Sequence, residues 1–159
     1  MTSLTLVRRI AARPSIVFEA MTTSEGLAAW FGPDDLPVVH SQAEVRVGGA
    51  YRVRFRRFDG SEHEACGEFL EIVPPRRIVM SWRWALGGVA EERDRTSRVE
   101  VELRPIAGGT ELTFTHAALW DEASAQSHTG GWTGALDKLV RHLENAAATR
   151  DLTSETPER

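Results

Sequence analysis

The chain has 159 residues, enough for one domain with a buried core, and its 42% hydrophobic and 26% charged residues are ordinary for a globular protein. Nineteen basic against 23 acidic residues leave a net charge of −4, which argues against nucleic acid or an anionic membrane as the main partner. With Cys66 as the one cysteine there is no intrachain disulfide, and the absence of a signal segment or spanning apolar run makes a cytoplasmic location the expectation.

Leu4, Leu6 and Ile10 alternate with Thr5, Val7 and Arg9, the period of a first strand. Pro14 suits the first turn of a helix, where its missing N–H costs nothing, and Val17, Phe18 and Met21 give that helix an apolar side. Thr22 and Glu25 have capping-box spacing and predict a second short helix, with Leu27, Trp30 and Phe31 on one face and Gly32-Pro33 ending it. From Leu36 the period is two, with turn signals at Gly48-Gly49, Asp59-Gly60, Pro74-Pro75, Gly87-Gly88 and Gly108-Gly109, the pattern of an antiparallel meander.

Between the turns, Tyr51, Val53 and Phe55 alternate with arginines, and Ile78, Met80, Trp82 and Trp84 alternate with Val79, Ser81 and Arg83. Val99, Val101 and Leu103 form a third such row, and Leu112, Phe114 and His116 a fourth that ends on His116. Clean alternation of this kind describes a sheet with one face covered and the other in water. Residues 62–73 are less regular: His63, Ala65, Gly67 and Phe69 share a phase that Leu70 and Ile72 break, which predicts a bulge near Gly67.

The last apolar stripe, Trp132, Ala135, Leu136, Leu139, Val140, Leu143, Ala146 and Ala147, has helical spacing, and Asp137, Lys138, Arg141, His142, Glu144 and Asn145 oppose it. Two starts fit the residues equally: a helix over 121–148 that contains Gly130-Gly131, or one that begins at Gly131 after a loop. A glycine pair beside Trp132 points to close approach or to empty space. Residues 1–148 read as one domain and 149–159 as a disordered tail.

Strand, two short helices, about six strands and one long helix make an α+β fold, and that helix is what remains to cover the apolar face of the sheet. A strongly curved antiparallel sheet of about seven strands gripping the helix is the economical solution. The residues that carry a resemblance are Arg-Arg-Ile-Ala-Ala-Arg-Pro (8–14), Val-Phe-Glu-Ala (17–20), Trp-Phe-Gly-Pro (30–33), Val-Gly-Gly-Ala-Tyr (47–51) and Gly-Glu-Phe-Leu-Glu-Ile-Val-Pro-Pro-Arg-Arg (67–77). Ser-Trp-Arg-Trp (81–84), Gly-Gly-Thr-Glu-Leu-Thr (108–113) and His128 with Gly-Gly-Trp (130–132) complete it. In this order the chain resembles the activator-of-heat-shock-protein-90-ATPase homologue family, within the START/Bet v 1-like helix-grip superfamily (SRPBCC), over residues 4–147. The resemblance implies a cavity between sheet and helix that holds an apolar or amphipathic ligand. It speaks to fold and cavity shape more than to chemistry.

The alternation makes Trp30, Phe31, Tyr51, Val53, Phe55, Phe69, Met80, Trp82, Trp84, Phe114 and Trp132 converge between sheet and helix. Aromatic stripes usually fill a core, but the glycines leave room and the resemblance implies a ligand, so a partly open pocket closed at one end by Trp30-Phe31 is expected. His116, His128 and Tyr51 are its expected polar groups. His116 should face a pocket mouth, with His128 one turn before Trp132 and about 40° around the helix from it. Each imidazole taken singly reads as a satisfied structural histidine. The two together at one cavity end are the best candidates for a ligand head group.

No cofactor is expected. The five histidines lack the spacing of a two-ligand helical metal site, the glycine pairs belong to hairpins rather than to a phosphate loop, no serine occupies a nucleophile elbow, and Cys66 lies between Glu64 and Glu68. The run Arg52 to Arg57 mimics a nucleic-acid platform, yet Glu62, Glu64 and Glu68 on the next strand can face it across the solvated side of the sheet. Binding of a small apolar or amphipathic ligand is therefore the leading expectation, with no nucleic-acid or membrane partner and with homodimerisation left open. A chaperone partner is what the family name implies. Members in that role carry a separate N-terminal activator domain, and this chain begins directly on its first strand. An enzyme of the cyclase or hydrolase kind is a third reading, and it would depend on the histidines, since no paired inward carboxylates are seen.

Overall fold

Period-two alternation gives most strands one apolar face, and the chain covers these faces mainly with one long helix, helped by two short ones. The computed structural model describes residues 2–88, 92 and 95–155, with side chains to residue 146. Its elements are β1 (Thr2–Ile10), α1 (Pro14–Thr22), α2 (Ser24–Trp30), β2 (Val38–Ala43), β3 (Ala50–Arg56), β4 (Glu62–Val73), β5 (Arg77–Leu86), β6 (Ser97–Ile106), β7 (Gly109–Leu119) and α3 (Glu122–Glu155). The strands form one antiparallel, curved sheet in the order β1-β7-β6-β5-β4-β3-β2, so α1 and α2 carry the chain from one edge of the sheet to the other. Leu136 and Leu139 of α3 are fully buried against it, with Trp132, Ala135 and Leu143 close behind.

Asp121 settles where α3 begins: its carboxylate accepts from Ser124 N at 2.8 Å, an N-cap that starts the helix before Gly130-Gly131. The helix also runs on through the first part of the expected tail, to Glu155, while residues 156–159 and the side chain of Ala147 lie outside the described residues. Lys138 does not belong to the polar face. It is buried, and its Nζ donates to Phe31 O (3.2 Å) and Asp34 O (2.7 Å), tying α3 to the segment after α2. Burial lowers its pKa, partly offset by Asp35 and Asp34.

The second short helix is capped one residue later than the capping-box spacing suggests. Thr22 is the last residue of α1, and its buried hydroxyl donates back to Phe18 O at 2.8 Å. Thr23, extended at φ −98° and ψ 156°, accepts from Gly26 N at 3.0 Å and is the N-cap of α2. Thr23→Ala is expected to cost about 1 kcal/mol, read as a lower urea midpoint at unchanged slope.

In β4 the register shifts between Glu64 and Ala65 and between Phe69 and Glu71, on either side of Gly67 rather than at it. Gly67 answers a different need: a Cβ there would lie 2.1 Å from Ser81 O, so only glycine lets β5 approach. Leu70 is exposed by plain alternation with the buried Phe69, and the second shift changes the phase beyond it, pairing Ile72 with the buried Ile78 and packing it against the core.

On the outer face, Arg52 and Arg54 both reach Glu64 (2.9 and 3.0 Å), and Arg56 reaches Glu62 (2.8 Å). Glu64 is itself buried, so this carboxylate is roofed by the arginines rather than solvated as expected. Arg77 gathers Glu71, Glu100 and Glu102 in the same way. Arginines spent on carboxylates present no free phosphate-binding row.

Candidate functional site

The sheet and α3 do not close completely. A cavity of about 250 Å³ remains at the end of the seam where β4 begins and β5 ends, beside the segment after α2. Phe31, Phe55, Trp82, Trp84 and Trp132 supply aromatic wall, and Gly32 and Pro33 supply backbone. From α3 come Ser127, Gly131 and Ala135, four residues apart and therefore on one helix face, together with His128. Gly131 and Ala135 are the reason for the space, because a larger residue in that row would fill it. Ser127 and Arg57, both exposed, border the opening.

The rings pack edge to face and tilted around the cavity. Phe31 stacks near Trp82 (centroids 5.9 Å) and meets Trp132 edge-on (5.6 Å), while Trp82 contacts Trp132 at 4.9 Å and Trp84 at 5.4 Å. His63, stacked on Phe55 at 5.7 Å, also lines the wall, and its Nδ1 accepts from Gly88 N at 3.2 Å. Burial, then Arg57, push its pKa down.

At the inner end lies a carboxylate. Glu92 is buried and accepts from Trp84 Nε1 (3.1 Å), from His128 Nε2 (2.9 Å) and from the Ser124 hydroxyl. Burial raises its pKa, but the hydrogen bonds from Ser124, His128 and Trp84 outweigh that and hold the carboxyl below its ordinary range. His116 lies behind this cluster, 4.7 Å from His128 between ring centroids. Its Nδ1 accepts from Trp132 Nε1 (3.0 Å) and its Nε2 meets Ser97 Oγ (2.7 Å), so both nitrogens are used. Burial, reinforced by His128, drives its pKa well below the ordinary 6.5 and keeps it neutral.

Of the residues expected to converge, Phe31, Phe55, Trp82, Trp84, His128 and Trp132 line the cavity. Trp30, Val53, Phe69, Met80 and Phe114 do not; they are packed core. Trp30 backs Phe31 at 5.4 Å and donates Nε1–H to Ala20 O. Tyr51 is also outside the cavity, its hydroxyl donating to Ser81 O at 2.6 Å. His116 does not face a mouth, because β7 continues to Leu119 and its side chain is fully buried. Among the described residues, no group of three or more His, Cys, Asp or Glu side chains is arranged to hold a metal ion, and no helix is long and apolar enough to cross a membrane.

The comparisons agree with this architecture. The family model of the Activator of Hsp90 ATPase homolog 1-like protein matches residues 11–144. The chain belongs to this family. The Hsp90-activator-like fold is also seen in a Chromobacterium violaceum protein, 27% identical with a TM-score of 0.78 over 91% of this chain and 99% of that one. The AHSA1 protein of Silicibacter pomeroyi is 25% identical, with a TM-score of 0.77 over 89% and 97% of the two chains. A Rhodobacter sphaeroides protein is similar at 26% identity and a TM-score of 0.75, covering 93% of each chain. No curated protein matches.

Phe31, Gly32, Pro33, Trp82, Trp84, His128, Gly131 and Trp132 of the lining fall in the motifs that carry the family resemblance, whereas Glu92, Ser127 and Ala135 lie outside them. Glu92 carries no sequence signal: it stands in Glu-Glu-Arg-Asp-Arg, which reads as solvated charge. Ser127, Gly131 and Ala135 do carry one, since their spacing of four continues the helical stripe with small residues where large ones are usual.

Proposed function

We propose that this chain binds one small apolar or amphipathic molecule in the cavity between the sheet and α3. The observation that carries the reading is a space of about 250 Å³, walled by Phe31, Phe55, Trp82, Trp84 and Trp132, in a fold that otherwise packs its core solidly. The ligand's apolar body would lie on the rings, and its polar end would meet His128 with Glu92 behind it.

Titration with the neutral fluorescent probe N-phenylnaphthylamine is expected to give saturable enhancement at one site per chain. Ala135→Phe, which drives a ring into the cavity from the helix, should weaken the probe at least about tenfold while circular dichroism and the cooperative melt persist. A second variant, Gly131→Leu, fills the same space from the neighbouring turn. No saturable probe binding by the unaltered protein would remove the reading.

The family name carries a rival, stimulation of a chaperone ATPase. That rival predicts capture of the chaperone and faster ATP turnover, both insensitive to Ala135→Phe.

A further inference from the structure

The polar groups around the cavity differ in how much of their hydrogen-bonding capacity the protein itself uses. At the inner end Glu92 takes donors from Trp84, Ser124 and His128. Near the opening, Asp34 Oδ2 accepts from Phe58 N (2.9 Å) and from Arg57 Nε (3.1 Å). Asp59 Oδ1 accepts from the backbone N–H and the hydroxyl of Ser61 (2.8 and 2.6 Å). Each of these carboxylates is engaged by the protein's own donors.

The donors at the opening are not used up in this way. Arg57 spends only Nε on Asp34, and its two terminal nitrogens have no hydrogen-bond partner among the described residues. Asp34 therefore fixes one edge of the guanidinium and leaves the fork free. The charge of Arg57 is felt inside: after burial, it is Arg57 that lowers the pKa of His63, whose ring is cavity wall. The hydroxyl of Ser127, bordering the same opening from α3, is exposed and also has no partner among the described residues.

This accounting decides the sign of a charged ligand. A cation would meet carboxylates that already hold their donors, whereas a carboxylate brings only acceptors and can take two bonds from one guanidinium. Orientation follows from the other end. Glu92 is kept ionised by the hydrogen bonds it accepts, so a second carboxylate beside it would be repelled. The anionic group therefore belongs at the opening, with the apolar body inward on the rings.

Resting on the ligand-binding reading above, we propose that the ligand is an amphipathic carboxylic acid, bound with its apolar body inside the cavity and its carboxylate outward on Arg57 and Ser127. A polar substituent that meets His128 at the inner end is then uncharged.

Calorimetric titration of the intact chain near neutral pH with hydrocinnamate, hydrocinnamyl alcohol and hydrocinnamylamine tests this, because the three share one apolar body and differ in head-group charge. The acid should bind about three- to tenfold tighter than the alcohol at low salt, with the amine weakest, and the margin should shrink as salt is raised. In Arg57→Gln the alcohol should bind as before while the acid falls to meet it. Ser127→Ala should narrow the margin by about twofold. Both positions are exposed, so neither change reaches the core. Equal binding of acid and alcohol by the unaltered protein, a preference for the amine, or an acid preference that survives Arg57→Gln would overturn this proposal and leave the apolar pocket standing. Failure of all three compounds to bind would remove the pocket reading with it.

Discussion

Gly134→Ala is expected to destabilise the protein by about 2–3 kcal/mol, whereas Gly130→Ala, one turn earlier on the same helix, should stabilise it by about 0.5–1 kcal/mol. By helix propensity alone both changes would help, each by roughly 1 kcal/mol. What separates them is the neighbour a new methyl group meets. At Gly130 a Cβ finds nothing within 4 Å, and the site faces solvent. At Gly134 it lands 2.3 Å from Pro33 O, a backbone atom that cannot swing aside. One turn further along, Lys138 Nζ donates to Phe31 O and Asp34 O, so the segment pressed by Gly134 is also pinned from the same helix. Relief must come from moving that segment or the helix, and both carry cavity wall in Phe31, Pro33, Gly131 and Ala135. Gly134→Ala should therefore also weaken binding of an apolar probe, while Gly130→Ala leaves it unchanged. Urea unfolding of the two single variants, with probe titration of each, checks all four outcomes. A Gly134→Ala variant as stable as the parent would mean that α3 does not lie on Pro33.

This contrast shows where periodicity stops being informative. The helix, its apolar stripe and the seven strands follow from spacing, because burial on one face imposes a period whatever the partner is. The glycines do not sort themselves in the same way. Gly130 and Gly131 attract notice as a pair, but the close approach is at Gly134, and only the path of Pro33 over the helix makes it so. Lys138 is misplaced for the same reason. Its spacing puts it toward the polar side, and the carbonyls that draw it inward belong to a segment more than a hundred residues earlier.

The site divides along the same line. Large apolar side chains in phase on β3, β4 and β5 are readable as inward, but phase says nothing of distance along the seam, so Tyr51, Phe69 and Met80 look equivalent to Phe55, Trp82 and Trp84. The small residues Gly131 and Ala135 determine which half of the seam stays open. The two histidines illustrate it further. Each is correctly inward, yet the hydroxyl of Ser97 and the indole of Trp132 use up His116, while Glu92 uses one nitrogen of His128 and leaves the other. Hydrogen-bond partners drawn from distant parts of the chain are a property of the fold, not of either residue's neighbours in the sequence.

The second large effect concerns acid. Stability is expected to fall as pH drops below about 6.5, and His116→Asn should remove much of that dependence. His116 is fully buried, and its ordinary value of 6.5 is pushed well down by burial and then by His128. In the unfolded chain the imidazole takes up a proton as pH falls through 6.5; in the folded chain it stays neutral, because Nδ1 is accepting from Trp132 and the surroundings do not solvate an imidazolium. The unfolded state thus binds more protons in this window, so stability rises with pH there. The contribution is fully present above 6.5 and is lost as pH falls toward the depressed folded value. The limiting slope is about 1.4 kcal/mol per pH unit for one proton. His63, also shifted down by burial, adds in the same direction and more weakly, since it is only partly buried. The depressed carboxylates, Glu92 among them, start from 4.5 or below and act at lower pH, so measurement above about pH 5 isolates the histidines. The side-chain amide introduced by His116→Asn would keep an acceptor for Trp132 Nε1 and has no proton to gain. Urea midpoints at intervals from neutral pH down to about 5, for the parent and for His116→Asn, give the two slopes. Parallel slopes would mean that His116 is solvated or already charged in the folded state, and the inner end of the seam would then be neither dry nor fully hydrogen-bonded.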